Sequence, residues 1–520
     1  MVSLEQYSMK GDDIMSYKIY PVTKTLQTCE DYTVKINGKE VELDTARVSS
    51  RPFNRRWPGH QRQIEQSHLV NFLSLASDEE LFFEITPKKA FEKVDIRPRS
   101  LGVTPVVEDG TIRFSVNKNA YFTVEPYGRD NALHVFVDPM PDYSDIDLDS
   151  PDVIYYGKGE HEVGQIVLKS NQTLFLDEGA VVYTCVKAID ADNIKILGRG
   201  ILDNSHNKEH IIFEANEKGN TMAVQNAKRQ HTVQIEYCTN VKIEGITMRD
   251  SLVYNIRPIG CENLDISNVK LIGNWRFNSD GIDMHNCVNV DINNCFIRTF
   301  DDSICVKGFD CYYAGDVEKA VKEAMYRGGK AYDVFKNVHV SGCTIWNDWG
   351  KCLEIGAETR AEEICDIFFE NCDIIHVTSA VLDCNNVDYA DVHHIYYRNI
   401  NVEYDNEIFC PFIQKSDDEV YENKYPDYMP KLMYVLVECH PEYSAGGNRR
   451  GKNRDITFEN IRLWGRQKPV FAAAGYDEEH KSENILIKNL YHNGELVKAF
   501  EPGLFIEGKF TSNIKLEWDE

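Results

Sequence analysis

A short phrase recurs from about residue 190 to the end of the chain: apolar residues at its first and third positions, Asn or Gly at its fifth, and an apolar or small residue after that. Copies are Ile194-Lys195-Ile196, Val241-Lys242-Ile243-Glu244-Gly245-Ile246, Leu264-Asp265-Ile266-Ser267-Asn268-Val269, Val290-Asp291-Ile292-Asn293-Asn294-Cys295 and Val338-His339-Val340-Ser341-Gly342-Cys343. It continues at Ile367, Ile395, Ile456 and Ile485. Neighbouring starts at 241, 264 and 290, at 338, 367 and 395, and at 456 and 485 are separated by 23 to 29 residues, the period of a solenoid. Alternation within each phrase makes it a strand with one inward face. The Asn or Gly suits a tight corner, since both tolerate left-handed backbone angles. Short strands joined by such corners and stacked coil on coil make a parallel β-helix. A leucine-rich repeat has a similar period but needs a Leu-rich consensus and a helical segment, which are absent.

Three intervals are long, 194 to 241, 290 to 338 and 395 to 456, so insertions project from the coils. The main ones are expected near 310–335, where Val317 to Met325 has the spacing of a short amphipathic helix, and at 406–454, an ordered loop rich in Tyr, Pro and Gly. Residues 1–148 lack the repeat. Short alternating runs such as Thr111-Ile112-Arg113-Phe114-Ser115-Val116, punctuated by Gly, Pro and Asp, predict a separate antiparallel β-sandwich. The chain is therefore expected to be all-β: a sandwich over 1–148, then a right-handed parallel β-helix of the pectin-lyase-like kind over 149–520.

Acidic residues outnumber basic ones by 83 to 57, a formal charge of −26, which disfavours nucleic acid, anionic membranes and polyanions at long range. Nowhere do eighteen apolar residues run together, and the start from Met1 to Asp13 has no basic segment followed by an apolar run. A cytoplasmic protein with no membrane partner is expected. The fifteen cysteines have no disulfide-framework spacing and no CxxC pair. Several recur in the repeat (Cys295, Cys343, Cys372), so they read as small buried packing residues. No cofactor or metal ion is called for, and a homo-oligomer stays open.

Chemistry concentrates in two blocks: Asn278-Ser279-Asp280-Gly281-Ile282-Asp283, then Phe300-Asp301-Asp302-Ser303-Ile304-Cys305-Val306-Lys307-Gly308. Asp280 and Asp301 are about one coil apart, and neighbouring parallel strands are roughly 4.8 Å apart. The helix thus brings the acids into reach of one another. A corner or bulge at 301–302 is needed to turn both adjacent side chains outward. Three close carboxylates cannot ionise independently, so at least one pKa should rise, as general acid and base work requires. Asp283, beside Gly281, reads as a buried hydrogen-bonding residue.

These blocks resemble glycoside hydrolase family 28, the polygalacturonase family, whose signatures run NTDG, DD, GHG and RIK; Ser279 stands in place of the Thr. Gly198-Arg199-Gly200-Ile201-Leu202-Asp203 and the coil from Asn240 to Thr247 are also similar to that family. The preceding sandwich resembles the clan relative, the family 49 dextranases. The resemblance implies an inverting glycoside hydrolase, with Asp301 as general acid and with Asp280 and Asp302 holding and activating the water. Inversion carries an expected carboxyl separation of about 6.5–9.5 Å.

Two later blocks depart from the pattern. Lys351 stands where the family has its histidine, in Trp349-Gly350-Lys351-Cys352-Leu353-Glu354-Ile355-Gly356-Ala357-Glu358; it either positions a carboxylate or sugar hydroxyl, or is a solvated lysine. Ala380-Val381-Leu382-Asp383-Cys384-Asn385-Asn386 replaces the block that grips a uronate with Arg and Lys. Asp383 there would repel a uronate, so a neutral oligosaccharide or glycoside is the expected carbohydrate. Trp275, Arg276 and Trp349 either stack on a sugar or pack beneath a loop, and Glu354, Glu358 and His376 are candidates to line the cleft. The polar run from Arg51 to Gln63 either reaches the cleft or makes an inter-domain contact. With the insertions closing one end of the groove, exo action is expected. A polysaccharide lyase on the same fold, with calcium held by the carboxylates, and a non-catalytic glycan-binding β-helix are the alternatives.

Overall fold

A computed structural model describes residues 17–519, apart from 52–53, 57–61, 63, 118, 208–212, 216–220, 224–230, 310–316, 407, 409, 415–424, 426, 441–442 and 445–448. The start from Met1 to Asp13, much of the 51–63 run and parts of both insertions lie outside the described residues.

The repeat copies stack in register. Ile194, Val241, Leu264, Val290, Val338, Ile367, Ile395, Ile456 and Ile485 pair one above the next along a sheet of twelve parallel strands that opens with Val153–Tyr156 and closes with Thr511–Glu517. The other faces of the coils form a second, 21-stranded sheet. Alternate positions turn inward to one continuous core that runs from Ile166 to Leu490 and takes in Cys238, Cys261, Cys287, Cys295, Cys343 and Cys372. These cysteines pack as small apolar groups, and no disulfide is found among the described residues.

The corners explain the recurrent amide. Asn268, Asn294, Asn371, Asn399, Asn460 and Asn489 all have φ between 51° and 55°. A second corner column, near the start of each strand, holds Asn193, Asn240, Asn263, Asn289 and Asn337, again at positive φ. There each side-chain amide donates to the carbonyl oxygen of the amide one coil back, at 2.7–3.0 Å. An amide carries both a donor and an acceptor, so identical residues stacked at the coil spacing satisfy one another.

Ahead of the helix, one sheet holds strands Tyr17–Ile19, Asp44–Ser49, Ser67–Ser77, Asp95–Arg97, Ala120–Arg129 and Leu133–Asp138, and a second holds Tyr32–Ile36, Lys39–Val41, Leu81–Pro87, Val106–Glu108 and Thr111–Val116. Their inner faces enclose Val34, Phe83, Ile112, Phe122 and Val135. The expectation of a purely antiparallel sandwich needs one correction: Leu133–Asp138 runs parallel to Ser67–Ser77. Its other edge pairs antiparallel with the strand that precedes it, Ala120–Arg129.

The sandwich lies against the flank of the helix. Phe72, Tyr121 and Phe136 share a buried cluster with Val181, Phe296, Trp346 and Ile375, ringed by ion pairs that cross the junction. Arg129 meets Asp348 at 2.6 Å, Arg97 meets Glu403 at 2.7 Å, and Lys270 meets Asp138 at 2.9 Å. Val317–Met325 forms the expected helix in the first insertion. No helix among the described residues is long and apolar enough to cross a membrane.

Candidate active site

Five successive coils build the site. Their strands Ile282–His285, Ile304–Lys307, Leu353–Ala357, Leu382–Asn386 and Met433–Val437 pair in register. Ile282, Ile304, Leu353, Leu382 and Met433 point into the core, so the next position of each strand points out. That outward row is Asp283, Cys305, Glu354, Asp383 and Tyr434. Just before each strand the chain turns, and the turns bring Asp280, Asp302, Lys351 and Lys431 onto neighbouring coils. Their backbones are linked there by Gly281 N–H donating to Asp302 O, Ser303 N–H to Lys351 O and Val381 N–H to Lys431 O.

Asp301 and Asp302 sit in the bend between strands Phe296–Thr299 and Ile304–Lys307, where the alternation of a strand no longer applies. Asp280, Asp301 and Asp302 each place a carboxylate oxygen within 4.8 Å of the others. The backbone must come close to allow this: a Cβ on Gly350 would lie 2.5 Å from the Asp301 carbonyl carbon. The three aspartates named from spacing therefore form one cluster.

Two lysines hold this negative charge in place. Lys307 reaches Asp283 at 2.9 Å, Asp302 at 3.5 Å, Asp280 at 3.7 Å and Glu358 at 4.0 Å. Asp283 is fully buried and serves as the anchor of Lys307. Lys351 contacts Glu354 at 2.5 Å and Asp383 at 2.6 Å through its ammonium, and its backbone N–H donates to Asp302 at 3.0 Å. It is a positioning residue inside the site, not a solvated lysine.

The environment splits the carboxyl groups. Burial, followed by the like charges of Asp283 and Asp301, drives the Asp280 pKa well above the usual carboxylate range, and its Oδ1 has no hydrogen-bond partner. Burial also pushes Asp302 up, but Lys307 and Lys351 outweigh it and hold Asp302 below its ordinary value. Glu354 is raised well above its usual value by burial and by Asp302, and Asp383 is raised by burial. The surroundings thus push Asp280 up and Asp302 down, the kind of split between neighbouring carboxyl groups that acid and base work at a sugar carbon needs.

Several expected cleft residues sit elsewhere. His376 is fully buried at the junction with the sandwich, between Glu125 and Asp405 at 2.8 Å each, because its strand Asp373–His376 faces the sandwich. Trp275 is 5% exposed and gives its indole N–H to Asp250 at 3.0 Å, which Arg276 also grips at 2.8 Å. Both brace the loop before Asp280, with the Arg276 guanidinium 4.7 Å from the centre of the Trp275 ring. Trp349 stacks on Phe300 at 6.0 Å, beneath the Asp301 bend. Arg62, from the Arg51 to Gln63 run, lies over the Phe300 ring at 4.1 Å and donates to the Trp275 carbonyl at 2.9 Å. That run also supplies strand Asn54–Arg56, which pairs with Phe412–Gln414 of the second insertion. The sandwich therefore buttresses the two loops that carry the aspartates.

Sequence reasoning passed over two cations. Lys307 shares the outward face of its strand with Cys305, which period-two alternation alone would have revealed. Lys431 follows a long insertion, so no regular spacing pointed to it. Its ammonium lies 3.9 Å from the centre of the Tyr434 ring and within electrostatic reach of Asp383.

Residues 162–414 match the family model of glycosyl hydrolases family 28. A polygalacturonase of Gossypium barbadense is 25% identical over 210 residues, 38% of this chain and 49% of that protein. An exopolygalacturonase of Arabidopsis thaliana is 27% identical over 193 residues, 35% of this chain and 43% of that protein. The chain spans about half the length of the curated relatives it matches. Among solved structures, Dex49A from Penicillium minioluteum superposes with a TM-score of 0.62 at 14% identity, covering 96% of both chains. The β-helix is family 28-like in sequence, and the whole chain, sandwich included, has the Dex49A fold.

Proposed function

We propose that this family 28-like glycoside hydrolase cleaves a glycosidic bond with Asp301 as general acid and with Asp302, assisted by Asp280, as the base that activates water. The observation that carries the reading is the cluster of three aspartates within 4.8 Å, with Asp280 raised and Asp302 lowered by their surroundings. Asp302, whose charged form Lys307 and Lys351 favour, accepts the water's proton, and the raised proton affinity of Asp280 eases repulsion between the two. Lys351 and Lys307 fix Asp302 in orientation through its Oδ1 and Oδ2 edges.

For the sugar, the relatives named polygalacturonases favour a galacturonide. The neutral-sugar expectation rested on residues 380–386 and overlooked Lys431 one coil later, a cation beside Asp383 suited to a uronate carboxylate. It is set aside. The expectation of exo action rests on the insertions, and Asn54–Arg56 pairs with Phe412–Gln414, which ties the sandwich to the insertion that leads to Lys431.

The stereochemical course has two readings. Family resemblance favours inversion. Retention through a glycosyl-aspartate is the other course that a pair of carboxylates can take. Proton NMR of the first product from a defined oligogalacturonide separates them, since the initial anomer has the opposite or the same configuration as the bond cleaved. The same reaction tests the proposal as a whole. Single galacturonate units should appear without intermediate lengths. A ladder of products would overturn exo action, and turnover of neutral oligosaccharides alone would overturn the galacturonide assignment.

A further inference from the structure

The asparagine ladder on the outer corner of the helix has a gap. It runs from Asn193 to Asn337 and is taken up again where Asn484 donates to Asp455 and Asn513 to Asn484. Between these stretches the corner positions, still at positive φ, are Asp366, His394 and Asp455. A departure from a pattern that is self-satisfying on every other coil points to a second use of the site.

Around the gap, Glu363, Cys365 and His393 each place a ligand atom within 4.8 Å of the others. Cys365 pairs with His393 in the register of strands Glu363–Glu370 and Asp391–Arg398. His393 is 7% exposed; its Nε2 lies 2.8 Å from Glu363 and its Nδ1 lies 2.7 Å from Nδ1 of His394. Asp366 approaches the Cys365 sulfur at 3.6 Å. Of the flanking cations, Arg454 is occupied by Asp391 and Asp455, and Lys336, the register partner of Cys365, is exposed.

We propose that this corner binds one divalent transition-metal ion of the zinc type, held by Cys365 Sγ, His393 Nε2 and Glu363, with the fourth position left to solvent. Sulfur, imidazole and carboxylate together are the donor set of a borderline-soft cation and not of calcium or magnesium. His393 then donates its Nδ1 proton to His394, the outer partner that orients a ligating imidazole. The thiol of Cys365 releases its proton to solvent as the sulfur–metal bond forms. One thiolate and the Glu363 carboxylate balance the ion's two charges, and the bond ties two successive coils together. The site lies on the sheet opposite the cleft strands, so it is distinct from the aspartate cluster. Reading the cysteines only as packing residues passes it over.

The test is titration of the full chain, freed of metal by a chelator, with cobalt(II). One equivalent should bind and give the near-ultraviolet thiolate-to-cobalt absorption, and zinc(II) should displace it. Both Cys365→Ser and His393→Asn, checked for native fold by circular dichroism, should lose that band. Zinc should raise the unfolding midpoint of the parent chain and leave both variants unmoved. No thiolate band in the parent chain, or a band of full strength in either variant, would overturn the site.

Discussion

The corner ladder and the cleft column run along the same coils, yet they solve opposite problems. At the corner, Asn263, Asn289 and Asn337 stack amide on amide, and every donor finds an acceptor one coil away. In the cleft, Asp280 and Asp302 stack carboxylate on carboxylate, which offers acceptors only. The corner is stable by itself. The cleft exists only because Lys307 and Lys351 are threaded between its acids, and stacked like charge held by buried cations is an arrangement kept for chemistry rather than for stability.

That contrast can be broken at several points. The largest effect is expected from Asp301→Asn, which keeps shape and removes the proton: turnover of oligogalacturonide should fall by about 10²–10⁴-fold, with circular dichroism unchanged. Next is Lys307→Met. It leaves the buried Asp283 facing Asp280 and Asp302 without a cation, so chemical denaturation should show a loss of about 3–5 kcal/mol, together with loss of activity. A stability matching the parent chain would mean that Lys307 is not what holds the cleft.

Asp280→Asn tests the protonation split with a sign opposite to the usual mutant. A group whose pKa is raised on folding binds its proton more tightly in the native state, so native stability falls as pH rises from its unfolded value of about 3.9 through the raised folded value. The Asn variant lacks that loss. It should be inactive, indistinguishable in stability from the parent near pH 3, and higher in melting midpoint at neutral pH, by on the order of a degree or two. An equal midpoint at both pH values would remove the argument that folding raises the pKa of Asp280. The smallest effect belongs to the corner: Asn289→Ala should cost about 1 kcal/mol and leave turnover untouched.

How much of this was legible in the sequence follows the same division. The inward row from Ile194 to Ile485 and the Asn or Gly that turns each corner after it could be read directly, because a repeat of fixed register makes local pattern and tertiary contact the same thing. The aspartates were legible for that reason too, since one coil of spacing places Asp280 beside Asp301 and Asp302. His376 was misassigned because its strand packs on the sandwich, and nothing within the repeat marks which of its sides another domain covers. Arg62 was legible only as a member of the polar Arg51 to Gln63 run, and Lys431 was invisible because it comes after an insertion, where periodicity carries no information. The spacing of the acids was legible only to one coil, since the exact gap depends on the bend at 301–302.

The central claim is that the aspartate cluster delivers water to a glycosidic carbon. The most direct test is to run oligogalacturonide cleavage in ¹⁸O-enriched water and examine the products by mass spectrometry, with absorbance followed at the same time. Hydrolysis predicts one ¹⁸O at the anomeric carbon of the released sugar and no ultraviolet absorption from an unsaturated product. An unlabelled, absorbing product would mean elimination, and the three aspartates would then have to be read as a lyase site instead.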